Sequence, residues 1–572
     1  MRLNLIRKVE TRTFVALALC GLSLVFGSTL GYGFVAHHDG LILVNVDLLY
    51  NSMIDGEPWP FNQYGSFWIL PYLAIRAIFG RENLLYSLRI LTLVFYLFNS
   101  YLLLKIALRV YGRRAGYIAV ALYLATQPFA FDLLPWPSAI ANTLFLMMVF
   151  LALKFTSARN GKNDQLKVIF FGILSLLLVL SRVQFGLLAF CVSVILFARY
   201  SSKSLVPFFC GFLGSSLVLG LLAQKLGWLS DLVRDSFIFP FRYILWDEVD
   251  RPKPFGLICA TGLCIAMLSI LFITGKSTNA SLIQLINSLP FPLIFVTVSS
   301  TCLFLVLAHT TIVSNLYSFF GIKFWMVLVL SSVFISLTKH IRGRLHGKVL
   351  VGGIAINESI LLLSSLISLT QMWPLFDPMH FWWGASIGFI FLGKILMELS
   401  TFKVRKTFLL SLVFLVLVPF STVRIQHYIA SFDAATGRNN SSLMKNIRED
   451  LQSIDAREKL FKVVSENVPR NSVVLNLCED STIFLSDAKF KSASRYYVYW
   501  PRLMSLNESG FRNLIHKPDV IISCTPILTK ESRRDRLVKE KFLEKVAYNF
   551  NSQRITYVES KDRTWEVIVL KE

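Results

Sequence analysis

Apolar segments about as long as a bilayer crossing recur from residue 14 to residue 423, most of them closed on one side by a basic cluster. No other feature of the chain constrains its fold as strongly. A helix needs about 20 apolar residues to cross a hydrocarbon core, and within that core every backbone polar group must be satisfied by the structure itself. Hydrophobic residues make up 54% of the 572 and charged residues 16%, which excludes a soluble globular protein. The predicted class is an all-α polytopic membrane domain over residues 1–423, followed by a small C-terminal α/β soluble domain over residues 424–572.

The first run, Phe14 to Ala36, follows Arg2, Arg7, Lys8 and Arg12. It is too long for the core of a signal peptide and reads as an uncleaved span with the N-terminus in the cytoplasm. Later basic clusters then fall on the same side: Lys105, Arg109, Arg113 and Arg114; Lys154, Arg159, Lys162 and Lys167; Lys339 to Lys348; and Lys403, Arg405 and Lys406. This is the pattern of cytoplasmic loops. The net charge of +23 is thereby explained by topology and contact with anionic membrane lipids, and no nucleic-acid partner is expected. The expected count is about thirteen transmembrane helices, an odd number, so the C-terminal domain is expected on the outer face.

One apolar stretch, Val168 to Ala198, is interrupted by Ser181-Arg182-Val183-Gln184. An arginine at mid-bilayer costs about 3 kcal/mol, so the stretch is divided into two spans that meet at Arg182 on the outer side. The long segment between the first two spans contains the apolar pieces Leu41 to Met53 and Ser66 to Phe79, separated by a turn-rich stretch. These pieces suit interfacial helices lying along the membrane surface. In the C-terminal region, Ser472 to Leu477, Arg495 to Trp500, Asp519 to Ser523 and Thr564 to Leu570 read as strands.

Chemistry-bearing side chains collect on the outer loops: His37, His38, Asp39, Glu57, Asp132, Arg182, Gln184, Asp377 and His380. The inner loops are mostly Lys and Arg and hold no phosphate-binding glycine motif, which argues against an ATP-driven pump. A carboxylate at the membrane edge, cations for a departing phosphate and an apolar groove for a prenyl chain are what sugar transfer from a lipid-phosphate donor requires. Asp39 would supply the carboxylate, Arg182 and His380 the cations, and the Phe-rich spans the groove. Six of the eight cysteines lie in apolar segments and read as small core residues. Cys478 and Cys524 lie in the polar C-terminal region and could pair if it faces an oxidising compartment.

Several of these stretches together resemble the GT-C superfamily of integral-membrane glycosyltransferases, which includes protein O-mannosyltransferases and lipid A aminoarabinose transferases. They are His38-Asp39-Gly40 after the first span, Gln63-Tyr64-Gly65 at the end of the first outer loop, Leu88-Arg89-Ile90, Tyr111-Gly-Arg-Arg-Ala-Gly-Tyr117, Asp132, and Ser181-Arg182-Val183-Gln184. The likeness is good over roughly the first 200 residues and looser beyond. It implies that Asp39 is the catalytic acid of the first outer loop and Asp132 the second acid. It further implies a polyprenyl-phosphate sugar donor, inversion at the sugar, and a glycan, lipid or protein acceptor in a bacterial inner membrane. His38, Glu57, Tyr64, Arg182, Gln184, Asp377 and His380 are the expected substrate-binding residues. Many relatives carry an Asp-Glu pair where this chain has Asp39-Gly40, and neither a metal nor another cofactor is expected. The competing class is a polytopic transporter or lipid flippase, which should show paired halves with broken helices; none is evident. A non-catalytic scaffold presenting the C-terminal domain is a third class.

Overall fold

The structure is a computed structural model that describes residues 30–31, 39–55, 67–126, 135–155, 162–200, 202–238, 324–345, 353–372, 383–400, 436–438, 441–469, 472–478, 490–492, 518–526, 551–559 and 563–571. The chain enters this description with helix α1 (Leu41–Asp55) and helix α2 (Leu70–Phe79), which pack on each other. Gly80, at φ +77°, ends α2, and Asn83, at φ +58°, opens α3 (Leu84–Val110). Gly and Asn are the residue types that enter the left-handed region most readily, so Gly80-Arg-Glu-Asn83 makes a sharp corner. At 1.5 Å per residue the 27 residues of α3 run about 40 Å, enough for a crossing.

The bundle continues with α4 (Arg113–Thr126), α5 (Pro137–Phe155), α6 (Lys162–Ser181), α7 (Val183–Tyr200), α8 (Leu205–Lys225) and the single turn α9 (Leu229–Val233). Pro137 takes the first position of α5, where its missing N–H would have had no helical partner. After the next described stretch, α10 (Phe324–Leu345), come α11 (Gly353–Leu369) and α12 (Gly388–Ser400). Among the described residues, three helical segments are long and apolar enough to cross a membrane: Leu84–Val110, Pro137–Phe155 and Ser202–Lys225. The expected total of thirteen is not established by them; of the predicted span 14–36 only Leu30 and Gly31 are described, and those at 255–274, 290–308 and 407–423 lie outside the described residues.

The break expected at Arg182 is present, with α6 ending at Ser181 and α7 starting at Val183. In α1, Ile42, Leu43, Val44 and Val46 are buried and the last turn exposes Met53 and Ile54, and α2 packs on it. Helix α10 runs to Leu345 through Lys339 and His340, which pair with Glu398 of α12 and Ser359 of α11.

Several phenylalanines pack around one close helix crossing. A Cβ on Gly172 of α6 would overlap the Phe208 carbonyl of α8, and one on Gly211 of α8 would overlap the Ile169 carbonyl of α6. The two backbones therefore touch, as small residues permit between membrane helices. Phe171, Phe190, Phe197 and Phe208 fill the space around this crossing, with ring centroids 5.4 to 6.1 Å apart. Hydroxyls within the bundle are satisfied locally: Ser100, Thr143, Ser175 and Ser193 each donate to the carbonyl four residues back.

The C-terminal region holds a two-stranded antiparallel ladder, β1 (Thr436–Arg438) with β2 (Arg448–Asp450), and helix α13 (Leu451–Asn467). A five-stranded sheet follows, with order β4-β3-β5-β7-β6. Its parallel part comprises β3 (Val473–Asn476), β4 (Lys491–Ser492) and β5 (Val520–Pro526); β7 (Arg563–Lys571) pairs antiparallel with β5 and with β6 (Asn551–Glu559). Three predicted strands coincide with β3, β5 and β7, the predicted strand at 495–500 lies outside the described residues, and β6 was not anticipated. Cys478 is disulfide-bonded.

This region is seated on the membrane bundle. Arg448 N–H donates to the Gly31 carbonyl at 2.7 Å, and Asn83 N–H donates to the Ser442 carbonyl at 2.9 Å. The exposed pair Lys445–Glu82, at 2.6 Å, lies beside them. Leu443, Met444 and Ile447 are buried beneath that seam.

Candidate active site at one end of the bundle

Asp39 sits immediately ahead of α1 and is fully buried. Its Oδ2 accepts from Arg89 Nη2 at 2.7 Å, and Arg89, one turn into α3, is 1% exposed. The other arm of the same guanidinium, Nη1, donates to the Leu30 carbonyl at 3.0 Å. A buried carboxylate without a cation would take up a proton instead of keeping its charge, so the arginine is what allows an ionised Asp39 here. The guanidinium also ties three places in the chain to one plane: the Leu30 corner, the residue before α1, and the start of α3.

A second ion cluster braces the first helix pair. Asp47, buried in α1, accepts from Arg76 Nε at 2.7 Å and from Arg81 Nε at 3.1 Å, and Arg76 lies over the Tyr50 ring at 4.5 Å. Asp47 was not among the expected site residues, since its spacing reads as the polar side of an amphipathic helix. With both oxygens engaged by arginines of α2 and the following corner, it fastens α2 onto α1.

The other expected residues reach the same end by separate routes. Arg182, half-buried in the α6–α7 break, donates from Nη1 to Ser138 Oγ at the start of α5. Gln184, also half-buried, is the second residue of α7. The end of the first outer loop closes on that break through Phe67 N–H to the Leu180 carbonyl at 3.3 Å. From there Trp68 packs edge-on against Tyr72 at 6.1 Å, and the Tyr72 hydroxyl hydrogen-bonds Thr92 Oγ1 at 3.2 Å, three residues along α3 from Arg89. Packed side chains thus connect the Arg182 break to the Asp39–Arg89 pair.

His37, His38, Glu57, Tyr64, Asp132, Asp377 and His380 lie outside the described residues. The loops that carry Asp132 and Asp377 nevertheless end on described tryptophans, Trp136 and Trp383, whose rings stack with centroids 5.9 Å apart and planes 10° from parallel. Ser386 Oγ donates to Asn142 Oδ1 at 3.0 Å, continuing the same contact. The ends of these two loops therefore meet at one spot. Arg89 is the functional candidate that sequence reasoning passed over: it entered only as part of a resembling stretch, although an arginine six residues into a long apolar helix was itself a signal. Among the described residues no group of three or more His, Cys, Asp or Glu side chains is placed to hold a metal ion.

No protein-family model matches the chain, and no curated protein matches it either. Solved structures do. The chain is similar to the apo oligosaccharyltransferase of Archaeoglobus fulgidus, at 11% identity and a TM-score of 0.51 over 89% of this chain and 69% of that one. It is similar also to that enzyme tethered with an acceptor peptide, at 12% identity and the same TM-score and coverage. ArnT from Cupriavidus metallidurans bound to undecaprenyl phosphate aligns over 98% of both chains at 8% identity, with a TM-score of 0.41, a level that does not by itself establish a shared fold. The likeness to the archaeal oligosaccharyltransferase is one of fold.

Proposed function

We propose that this chain is a membrane glycosyltransferase that moves a monosaccharide from a polyprenyl-phosphate-linked donor to an extracytoplasmic acceptor. The observation that carries this reading is a buried, arginine-paired carboxylate at the end of the bundle where the outer loops gather, on a GT-C fold. An acceptor hydroxyl attacks the anomeric carbon; the bond from that carbon to the phosphate oxygen breaks, and its electron pair leaves with the lipid phosphate. Asp39 takes the hydroxyl proton, and the sugar is inverted in a single displacement. Arg182, in the break between α6 and α7, faces the departing phosphate, where a fork of N–H donors meets phosphate oxygens well. Gln184, His38, Glu57, Tyr64, Asp377 and His380 would line the donor and acceptor sites, with Asp132 as the second acid.

The same reading assigns the compartments. Residues 1–423 form the catalytic membrane domain, and residues 424–572 form an outer domain seated on the corner that holds Asp39. Its disulfide at Cys478 supports an oxidising, non-cytoplasmic side. In backbone register Cys524 follows Ile522 by two residues, as Cys478 follows Asn476, the partner of Ile522. The glycan, lipid or protein nature of the acceptor follows from the same experiment that tests the transfer. Membranes containing the full chain are supplied with radiolabelled sugar on extracted prenyl-phosphate donors, and incorporation is compared with that of Asp39→Asn at matched expression. Incorporation by the wild type and not by the variant is the expected result. Equal incorporation by both, or none with any donor, overturns the proposal and leaves transport as the better account of the bundle.

A further inference from the structure

The geometry points to Arg89 as the positioning residue of the proposed transferase, holding the Asp39 carboxylate in its working orientation through a guanidinium whose other arm is tied to the main chain at Leu30. This inference rests on the function proposed above and goes beyond it, since nothing in that reading requires a particular partner for the carboxylate. Three observations carry it. Both side chains are buried, at 0% and 1% exposure, so the attraction at 2.7 Å is not diluted by water. The planar fork uses Nη2 for Asp39 Oδ2 and Nη1 for the Leu30 carbonyl, which fixes the direction of the carboxylate as well as its charge. The Leu30–Gly31 corner is itself gripped from the other side, where Arg448 N–H of β2 donates to the Gly31 carbonyl at 2.7 Å.

A side chain held this way has little rotational freedom left. Orientation of a reacting group accounts for a large part of enzymatic rate, and small misplacements cost heavily. Arg89 would touch neither sugar nor phosphate; it would act through Asp39. The predicted signature is therefore a fall in turnover with unchanged donor binding, partly restored by a residue that keeps the charge and loses the fork.

The test uses the full chain in membranes with the extracted prenyl-phosphate donors, comparing wild type, Asp39→Asn, Arg89→Gln and Arg89→Lys, each normalised to folded protein measured by size-exclusion chromatography in detergent. Arg89→Gln is expected to lower kcat about 100-fold with KM for the donor within about twofold, on the scale of a lost acid–base contribution. Arg89→Lys is expected to recover about a tenth of wild-type kcat, since an ammonium restores the charge but cannot bridge both oxygens. If Arg89→Gln does not fold, Arg89→Lys decides. Wild-type kcat per folded molecule in the folded arginine variants, with Asp39→Asn inactive, overturns the positioning role and leaves the transferase reading standing. An Asp39→Asn protein as active as wild type overturns both.

Discussion

The two ends of the bundle each bury a carboxylate beside cations, and they use it differently. At the end where α3 stops, Glu358 of α11 accepts from the Tyr111 hydroxyl and from Lys394 Nζ of α12, both at 2.8 Å on Oε1. Its Oε2 is 3.6 Å from His340 Nδ1 of α10, while Ser359 Oγ pairs with His340 Nε2 at 2.9 Å. Lys394 also lies over the Tyr111 ring at 4.5 Å. One carboxylate thus joins α10, α11, α12 and the turn that follows α3, with Tyr111 247 residues away in sequence. At the opposite end, Asp39 is held to Arg89 at the junction of the first outer loop, the bundle and the C-terminal region. The comparison teaches that burial and ion pairing alone do not mark a catalytic carboxylate; the role proposed for Asp39 rests also on the Leu30–Gly31 corner, α3 and the C-terminal region meeting beside it.

The sharpest break in the comparison is functional. Asp39→Asn should reduce sugar transfer per folded molecule by about 100-fold or more, and because it leaves buried Arg89 uncompensated it should lower the thermal midpoint as well. Glu358→Ala should lower the midpoint alone. Removing one member of a buried ionic cluster leaves Lys394 uncompensated, and a stability loss of about 3 kcal/mol is expected, read as a lowered unfolding midpoint, with transfer per folded molecule unchanged. If Glu358→Ala abolishes transfer in folded protein, the two ends are not separable in the way described.

A third substitution tests the neutral ground between them. Gly172→Leu places a side chain where the Phe208 carbonyl now sits, so α6 and α8 must separate. The expected cost is about 2 kcal/mol, measured by thermal unfolding, again without a specific effect on turnover. The smallest effect concerns the seam of the C-terminal region. The Lys445 ammonium beside Glu82 holds that carboxyl below its ordinary value of 4.5. The contribution is therefore present above the unfolded value and is lost as pH falls through the lower folded one. Protease protection of the seam at Ser442 to Arg448 should be slightly weaker in Glu82→Gln than in wild type at pH 7. The two should converge at pH 3, because the pair is exposed and screened.

Much of this was legible in the sequence because the bilayer simplifies it. Apolar length alone located α3, α5 and α8, and the cost of an intramembrane arginine divided α6 from α7 at Arg182. Short runs rich in Val and Ile marked β3, β5 and β7. Strand β6 escaped because Asn551-Ser-Gln-Arg-Ile-Thr-Tyr-Val-Glu559 opens with four polar residues and pairs at the edge of the sheet, where little burial is demanded of it. The site was legible as a collection of outward polar residues, including Asp39 and Arg182. Its partnerships were not, since Arg89 is 50 residues from Asp39 and Trp383 is far from Trp136 along the chain.

By itself the sequence determined the apolar helices α3, α5 and α8 and the break at Arg182, because hydrophobic length and charge distribution act locally and need no partner to be read. Only the tertiary structure decided which arginine meets the Asp39 carboxylate, which carboxylate serves as a fastener, and where the C-terminal region is seated. Those outcomes depend on close contact between segments distant in sequence, and a buried charge has its role set by what is brought against it.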